Sequence, residues 1–476
     1  MSSEWSRSPT GFAAGSIGRV TLAGVAMLMA GCAQYVPDPI VPAETALRLD
    51  SRSLNDPRLQ AFVEKLSPRR GSRNAVKSWG LTDLTYAALY YHPNIEVAQS
   101  KFAVAQAAIV TAGQIPNPLL RLAPTYHGVV TIPSPWTVGT AIDFLIETAG
   151  RRPIRIAQSE SLAEAARRDI ETASWQVRGR VRSALLKLWA AQSRLGLVRR
   201  RQSLQEQIVS ILERGFSAGQ ISALDMARER TNLNQIRLTA AETIRQVAEA
   251  RSELATAVGI PLHAFQTIDV SFGAFVQARR MPDTARTLRS YALRNRSDIQ
   301  GALASYEASQ SALQLEVARQ FPNITLGPGY EYDQGDSLYT LAVGFDLPIF
   351  NQNQGPIAEA LARRRESAAR FTALQAQILG EIDRAFAVYR ATTQALAQAD
   401  ALVAAQRTRQ QEVKRAFDAG EVDRTALALA DIELSAIELS RLEAVIQQRQ
   451  AIELLEDALQ RRLLDESRHV PPARSP

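Results

Sequence analysis

The side chains most often used in catalysis and metal binding are few and scattered in this chain. Cys32 is the only cysteine, so an intramolecular disulfide is impossible. The four histidines, His92, His127, His263 and His469, lie at no metal-site spacing from one another or from Cys32. The sequence also contains no Gly-rich phosphate loop and no G-x-S-x-G motif. We therefore expect no enzyme, no metal centre and no cofactor other than a lipid.

The N-terminal segment predicts export. Arg7 and Arg19 give it a positive start. The apolar run from Val20 to Ala30 has the length of a signal-peptide hydrophobic region and is too short to span a bilayer. Residues 1–31 are therefore predicted to be a signal peptide.

Cys32 ends the segment Leu28-Met29-Ala30-Gly31-Cys32, which resembles a bacterial lipobox, although Met29 stands where leucine is usual. A lipobox implies cleavage before Cys32 and a palmitate-type lipid on the new N-terminal residue. Ala33 follows instead of aspartate, so a signal for inner-membrane retention is absent and the outer membrane is favoured. Such a lipid would anchor the N-terminus without inserting the protein. The alternative is a plain signal peptide with an incidental cysteine.

One stretch occurs twice, as Arg214–Leu238 and as Arg415–Leu439. Both copies contain an arginine, a phenylalanine two residues later and an Ala-Gly pair. The shared residues are Phe216 with Phe417 and Gly219 with Gly420. Since a glycine between two helices usually supplies a positive φ, each copy predicts the tip of a helical hairpin. Chance alignment of two helix turns is the alternative for this stretch alone.

The composition is typical of long helices, because Ala, Leu, Arg, Glu and Gln dominate. The net charge of +7 is spread over interleaved Arg and Glu rather than gathered in a basic stripe, so we expect no nucleic-acid binding. Before the first tip, apolar residues recur every three or four positions, the α-helical period. They are Leu162, Ala166, Ile170, Ala173, Val177, Val181, Ala184, Leu188, Ala191, Leu195 and Val198. A helix from Arg152 to about Arg214 would reach roughly 90 Å.

Short strands are predicted before each long helix. In Thr137–Leu145 and Ser337–Phe350, apolar residues alternate with small or acidic ones, a period of two. The apolar positions are Val138, Ile142 and Phe144 in the first run and Leu341, Val343, Phe345 and Leu347 in the second. Asp143 and Asp346 lie on the opposite face. A run of about nine residues matches a tilted strand that spans a membrane.

The chain is therefore predicted to be a tandem duplication of one unit: helix, strand pair, long helix, tip and helix. Five ordered matches between the halves keep nearly constant spacing, which argues against chance. We predict an extended N-terminal tail at 32–81, repeats at 82–270 and 271–464, and a disordered tail at 465–476. The fold class is mainly α, with a small membrane β part.

Four strands cannot close a membrane barrel, which needs at least about eight, and an open sheet in lipid leaves costly unpaired edges. Several chains must then share one barrel, and a homotrimer would supply twelve strands. Lipid would meet the apolar faces, whereas Asp143 and Asp346 would face a water-filled lumen.

These features resemble the TolC family of trimeric outer-membrane export ducts over nearly all of Thr82 to Leu464. Two segments narrow the resemblance to the CzcC-like cation-efflux branch. Phe144–Arg152 (FLIETAGRR) follows the second strand, and Leu347–Gly355 (LPIFNQNQG) follows the fourth. In the second segment, Gln352 replaces the usual arginine. Many members of the family that contain these segments carry organic solutes.

The resemblance implies a function and its partners. The hairpins would form a periplasmic α-helical tube, and the tips carrying Phe216, Gly219, Phe417 and Gly420 would form its mouth. This mouth would dock on a periplasmic adaptor protein, and an RND-type inner-membrane pump would supply the energy. The solutes would be metal cations or small organic toxicants.

In the family, an Asp six residues after the tip glycine helps to hold the mouth shut. Asp225 matches this position in the first copy, whereas the second copy has Ala426, for which Glu421 and Asp423 are candidate substitutes. The alternative for Asp225 is an ordinary acidic residue in the first turn of a helix, where the dipole favours it.

One other class of protein would share some of these features. A periplasmic coiled-coil adaptor or structural lipoprotein also combines a hairpin with a lipobox, but an adaptor has one hairpin flanked by compact β domains. The duplication favours the duct.

Cys32→Ser should abolish lipid attachment if the lipobox is processed. We expect the wild-type protein to incorporate radiolabelled palmitate and the variant to incorporate none. Label that persists in the variant would refute the lipobox prediction.

Overall fold

The structure is a computed structural model and describes residues 34–66, 78–128, 135–276 and 284–463. The predicted signal peptide, Cys32 and the C-terminal tail 465–476 lie outside these residues. The chain divides into two compact units, Met1–Ser51 and Arg52–Pro476.

The predicted extended tail is in part helical. Helix α1 spans Pro42–Asp50 in the first unit, and α2 spans Pro57–Leu66 in the second. Each begins with a proline, whose fixed φ suits the first helical position and whose missing N–H costs nothing there. Both helices are too short for a period of apolar residues to predict them from the sequence.

The first repeat follows the predicted order. Its elements are α3 (Leu81–Tyr91), α4 (Pro93–Gly113), β1 (Leu119–Tyr126), β2 (Trp136–Ile146), α5 (Arg151–Ser217) and α6 (Ala223–Val258). Two short helices connect it to the second repeat, α7 (Leu262–Gln266) and α8 (Gly273–Val276).

The second repeat has the same order of elements. They are α9 (Ala285–Asn295), α10 (Ser297–Ala318), β3 (Ile324–Asp333), β4 (Asp336–Phe345), α11 (Gln354–Asp418) and α12 (Arg424–Leu459). Each predicted unit begins with one helix, but in the second repeat this helix is broken at Arg296, whose backbone is extended. The corresponding break at His92 was predictable because Pro93 follows it. No proline marks the second break.

The four strands form one antiparallel sheet in the order β1-β2-β3-β4. Its central pairing joins the two repeats, with Ala141 of β2 opposite Gly329 of β3. Strand β4 ends at Phe345, earlier than the predicted Phe350. Pro348 follows closely and has no N–H to donate to a ladder, which limits the strand.

The two faces of the sheet differ in polarity, as the alternation predicted. One face carries large apolar side chains that are each at least two-fifths exposed: Leu120, Leu122, Val138, Ile142, Phe144, Leu341, Val343 and Phe345. Aromatic pairs lie on the same face near the β1–β2 and β3–β4 turns, Tyr126 with Trp136 and Tyr330 with Tyr339. The other face carries Arg121, Asp143, Glu331 and Asp333.

The main apolar core lies where α3, the middle of α5 and the C-terminal end of α6 meet α2, α7 and α8. Leu84, Leu185, Leu254, Phe265 and Phe275 are almost completely buried there. A second core packs α9, α11 and α12 around residues such as Ile378, Ile382 and Leu455. Within the described residues, none of the helices is both long enough and apolar enough to cross a membrane.

The predicted apolar stripe of α5 is buried in its middle part but not throughout. Val177, Val181, Leu188 and Val198 are buried, whereas Leu162 is 47% exposed. The neighbouring Ala163 is buried instead, because the first turns of α5 pack against α4 and α10 with a different face.

Gly259 ends α6 at a tight junction with α3. Its φ is +85°, and a Cβ there would lie 3.2 Å from the carbonyl oxygen of Tyr91. Gly259→Ala should therefore reduce the free energy of unfolding by about 1–3 kcal/mol. The measurement is denaturant unfolding of the purified protein.

Gly380→Ala is the matched control, since Gly380 lies within α11 and a Cβ would meet nothing within 4 Å. We expect it to raise stability by about 0.5–1 kcal/mol. Equal unfolding midpoints for the two variants would contradict the proposed strain at Gly259.

Candidate functional site

The first hairpin tip, which joins α5 to α6, closes with a Schellman motif. Gly219 has a φ of 72°, as a left-handed residue after a helix requires. Its N–H donates to the Phe216 carbonyl at 2.9 Å, and the N–H of Gln220 donates to the Gly215 carbonyl at 2.8 Å. The last carbonyls of α5 are thereby satisfied, so the reversal is locally defined.

Helix α6 then starts with a reciprocal cap that includes Asp225. The Ser222 hydroxyl accepts the N–H of Asp225 at 3.1 Å and lies 2.6 Å from Oδ2 of the same residue, to which it donates. Asp225 remains exposed. Its carboxylate therefore stabilises the first turn of α6 while still facing outward.

The second tip, which joins α11 to α12, repeats the reversal. Gly420 has a φ of 76°, and its N–H donates to the Phe417 carbonyl at 3.0 Å. The exposed Glu421 donates its N–H to the Ala416 carbonyl at 2.8 Å. The prediction that both glycines form hairpin tips is thus matched by their backbone geometry.

The acidic residues of the two tips are not equivalent. Asp423 is the N-cap of α12 and accepts the N–H of Ala426 at 2.8 Å, so it occupies the place of Ser222. Ala426 stands where Asp225 stands in the first tip. The second tip therefore has no carboxylate at the Asp225 position, and the gating roles of Asp225, Glu421 and Asp423 remain predictions.

Two linked differences between the tips, each of which compensates for the other, were not predicted from the sequence. A Cβ on Gly215 would lie 2.8 Å from Cγ1 of Ile221, so glycine is needed beside isoleucine. The second tip has Ala416 and Val422 at the corresponding positions. Gly215 is one carbon smaller than Ala416, and Ile221 is one carbon larger than Val422. An alignment of the two repeats at their constant spacing could have revealed this exchange.

The first tip exposes more apolar surface than the second. Leu224 is 79% exposed and Phe216 is 46% exposed. In the second tip, Phe417 is half-buried and the polar Thr425 takes the position of Leu224. Exposed apolar surface at a hairpin tip is typical of a protein-binding surface.

The two strand aspartates predicted to be alike have different surroundings. Asp143 is buried and forms a two-pronged ion pair with Arg121 of β1, with both N–O distances at 2.6 Å. Gly327 lies opposite Asp143 and leaves room for its carboxylate. Asp346 is exposed and follows the end of β4. The lumen assignment of both residues remains a prediction, and Arg121 was missed although it lies in period with the polar face.

The two segments that carried the family resemblance join the sheet to the long helices. Arg152 donates to the carbonyl of Gly113 at 2.7 Å, and Arg155 pairs with Glu147. The second segment uses Asn353, which donates to the Glu316 carbonyl at 2.7 Å. Both segments thus satisfy carbonyls at or near the ends of the preceding helices α4 and α10. In the part of the chain that the structure describes, no three His, Cys, Asp or Glu side chains group as a metal site.

Comparisons with known proteins agree with this geometry. Residues 84–260 match the family model of the outer membrane efflux protein. The cobalt-zinc-cadmium resistance protein CzcC of Cupriavidus metallidurans is 24% identical over 310 residues, which cover 64% of this chain and 72% of that protein. The pyoverdine export outer membrane protein OpmQ of Pseudomonas aeruginosa is also 24% identical, over 64% of each chain.

Solved structures share the fold. The outer-membrane channel OprN aligns with a TM-score of 0.65 and 18% identity, covering 90% of this chain and 98% of that one. CusC aligns with a TM-score of 0.64 and 16% identity, covering 90% and 99%. The four-stranded sheet, the two capped hairpins and these matches show that the chain has the fold of outer-membrane channels and is similar to outer membrane efflux proteins, CzcC and OpmQ among them.

Proposed function

We propose that three copies of this chain form a passive duct that carries solutes from a periplasmic adaptor and an inner-membrane pump to the cell exterior. The observation that supports this most directly is the four-stranded sheet, with its exposed apolar face and its two outer strands, β1 and β4. The duct itself performs no chemistry in this proposal.

The sheet explains why several copies are needed. Strands β1 and β4 each have one side without a strand partner within the sheet. Unpaired backbone groups are very costly in lipid, and a closed barrel needs at least about eight strands. Three copies would pair β4 of one chain with β1 of the next and close a barrel of twelve strands. The apolar face would then meet lipid and the Arg121–Asp143 face would line the lumen.

The helices account for the periplasmic part. Helix α5 has 67 residues, which corresponds to roughly 100 Å, whereas the hydrocarbon core of a bilayer is about 30 Å thick. The hairpins would therefore project away from the membrane as a tube, and the tips would form its far mouth. A lipid on Cys32 would add an anchor at the outer membrane.

The tips are proposed to control and receive the cargo. The exposed Phe216 and Leu224 offer an apolar surface on which an adaptor could dock. Three copies of Asp225 around a narrow mouth would repel one another unless cations or cationic side chains pair with them. An RND-type pump would supply the energy for transport.

The cargo class follows from the relatives. One is named for cobalt, zinc and cadmium resistance and another for pyoverdine export, at equal identity to this chain. We therefore propose metal cations or small organic solutes as cargo, with the pump and adaptor selecting between them.

Asp225→Cys tests the shared mouth. In a trimer the three introduced thiols converge, so a bifunctional maleimide should link neighbouring copies and abolish efflux, measured as solute accumulation in cells. Glu249→Cys is the control, because Glu249 is an exposed residue of α6 about 36 Å along the helix from Asp225. We expect it to give no link and normal efflux. Complete linkage at Asp225→Cys with unchanged efflux would refute the duct.

Deletion of the gene tests the cargo. We expect the deletion strain to lose tolerance either to cobalt, zinc and cadmium salts or to a panel of small organic toxicants, and the complemented strain to regain it. Whichever tolerance falls identifies the cargo class. Unchanged tolerance to both sets, with the protein normally present in the wild type, would contradict the proposed function.

A further inference from the structure

A buried cluster of charged side chains connects the two repeats. Arg178 and Arg182 of α5 both donate to Oε2 of Glu456 on α12, Arg178 at 3.0 Å. Arg182 is 1% exposed and Glu456 is completely buried. The other oxygen of Glu456 accepts the N–H of Leu463 at 2.7 Å. Removing charged groups from water is costly unless they are well paired. The stability of this contact therefore depends on each charged partner being present.

The pairing of this cluster is incomplete. Nε and Nη2 of Arg182 are buried without a hydrogen-bond partner. A buried donor without an acceptor costs about 1–3 kcal/mol. The cluster therefore has capacity for an acceptor that the present arrangement does not use.

Glu453 is the group beside Arg182 whose charge can change near neutral pH. It is 92% buried and hydrogen-bonds to Ser183 of α5. Burial raises the pKa of Glu453 to about 7 against the pull of Arg182, and Asp457 raises it further. Burial likewise raises the pKa of Asp457. Desolvation thus outweighs the attraction of the arginines.

A water-accessible cleft of about 540 Å³ lies directly beside Glu453. It is lined by Thr172, Trp175, Gln176, Gly179, Arg180, Ser183, Arg296, Asp298, Glu453, Asp457 and Gln460. Gly179 keeps it open at Asp457, because a Cβ on Gly179 would lie 3.2 Å from that carboxylate. Water can therefore reach the edge of the α5–α12 contact without any helix moving.

The remaining charges around Glu453 come from three elements. Arg180 of α5 lies in the cleft, and Arg296, which precedes α10, is paired with Asp298 at 2.6 Å. On α12 itself, Arg449 is buried and donates to the Phe275 carbonyl at 3.0 Å. Among these groups, Glu453 is the carboxyl whose pKa is raised into the neutral range.

We propose that Glu453 is a proton-operated joint between the two repeats, which is closed when the carboxyl is protonated and loosened when it ionises. In the closed joint, the carboxyl of Glu453 is buried without charge and α12 packs on α5. An ionised carboxylate draws water from the cleft into the contact, and this water also supplies the missing acceptors for Arg182. The inference concerns a contact within one chain and does not rest on the proposed function.

The direction of the effect follows from linkage. The ordinary pKa of 4.5 applies where Glu453 is exposed, and the value of about 7 applies in the closed joint. Protonation of Glu453 therefore stabilises the closed joint fully below pH 4.5. This stabilisation falls as the pH rises and is lost above about pH 7.

Hydrogen exchange of the full-length protein tests this joint. Exchange rates in α12 peptides around Glu453, corrected for intrinsic exchange, should rise by up to about tenfold per pH unit between the two pKa values and then level off. E453Q imitates the protonated carboxyl and should show no such rise. A wild type without the rise, or E453Q with it, would overturn the proposal.

E443Q is the matched control. Glu443 lies on the same helix and also bridges to α5, through Arg194 at 2.6 Å, but its side chain is 41% exposed. E443Q should keep the pH dependence of the wild type. If E453Q alters exchange at every pH, infrared spectroscopy decides the matter. The wild type should then show a carboxylic-acid carbonyl band that disappears near pH 7 and is missing from E453Q, and absence of this band from the wild type would overturn the proposal.

Discussion

Lateral burial of very long helices is the constraint on which the rest of the structure depends. Helices of 67 and 65 residues gain little from intrinsic propensity and are stable only where a face is covered along their length. Helix α5 meets this need by contacting α4 and α10 near the sheet, and α6 and α12 further along. Small residues such as Ala184 and Ala191 keep these contacts close. The first hairpin tip follows one end of this helix, strand β2 precedes the other end, and the charged cluster lies along its side.

The two repeats conserve backbone geometry while their side chains have diverged. Both tips reverse through a glycine at positive φ and the same pair of backbone hydrogen bonds. The cap that follows uses Ser222 in one tip and Asp423 in the other. Backbone requirements thus remain fixed, because a reversal without them leaves helix ends unsatisfied. The carboxylates and exposed apolar groups at the tips are free to differ and to serve different contacts.

Much of the architecture could be predicted from the sequence, because its main signals are periodic. A period of 3.6 gave the long helices, a period of two gave the strands, and repeated glycines gave the tips. The helix break at Arg296 was missed because no local marker accompanies it, and the end of β4 at Phe345 was missed although Pro348 follows closely. For the candidate sites, the positions of Gly219, Gly420 and Asp225 were clear, but their caps and partners were not. The buried Arg182 and Glu456 were least predictable, since charged residues at helical spacing usually indicate a solvated face.

The pairing of β2 with β3 has a consequence for symmetry. Each repeat contributes only two strands and one hairpin, so a protein of half this length would need six copies to supply the strands of the proposed trimer. In the proposed trimer, the duplication gives the ring of six hairpin tips two alternating kinds of tip instead of six identical ones. The mouth can then present Leu224 and Asp225 at every second position and Thr425 and Ala426 between them. A partner protein can thus distinguish neighbouring sites on a ring that would otherwise offer it six equal ones.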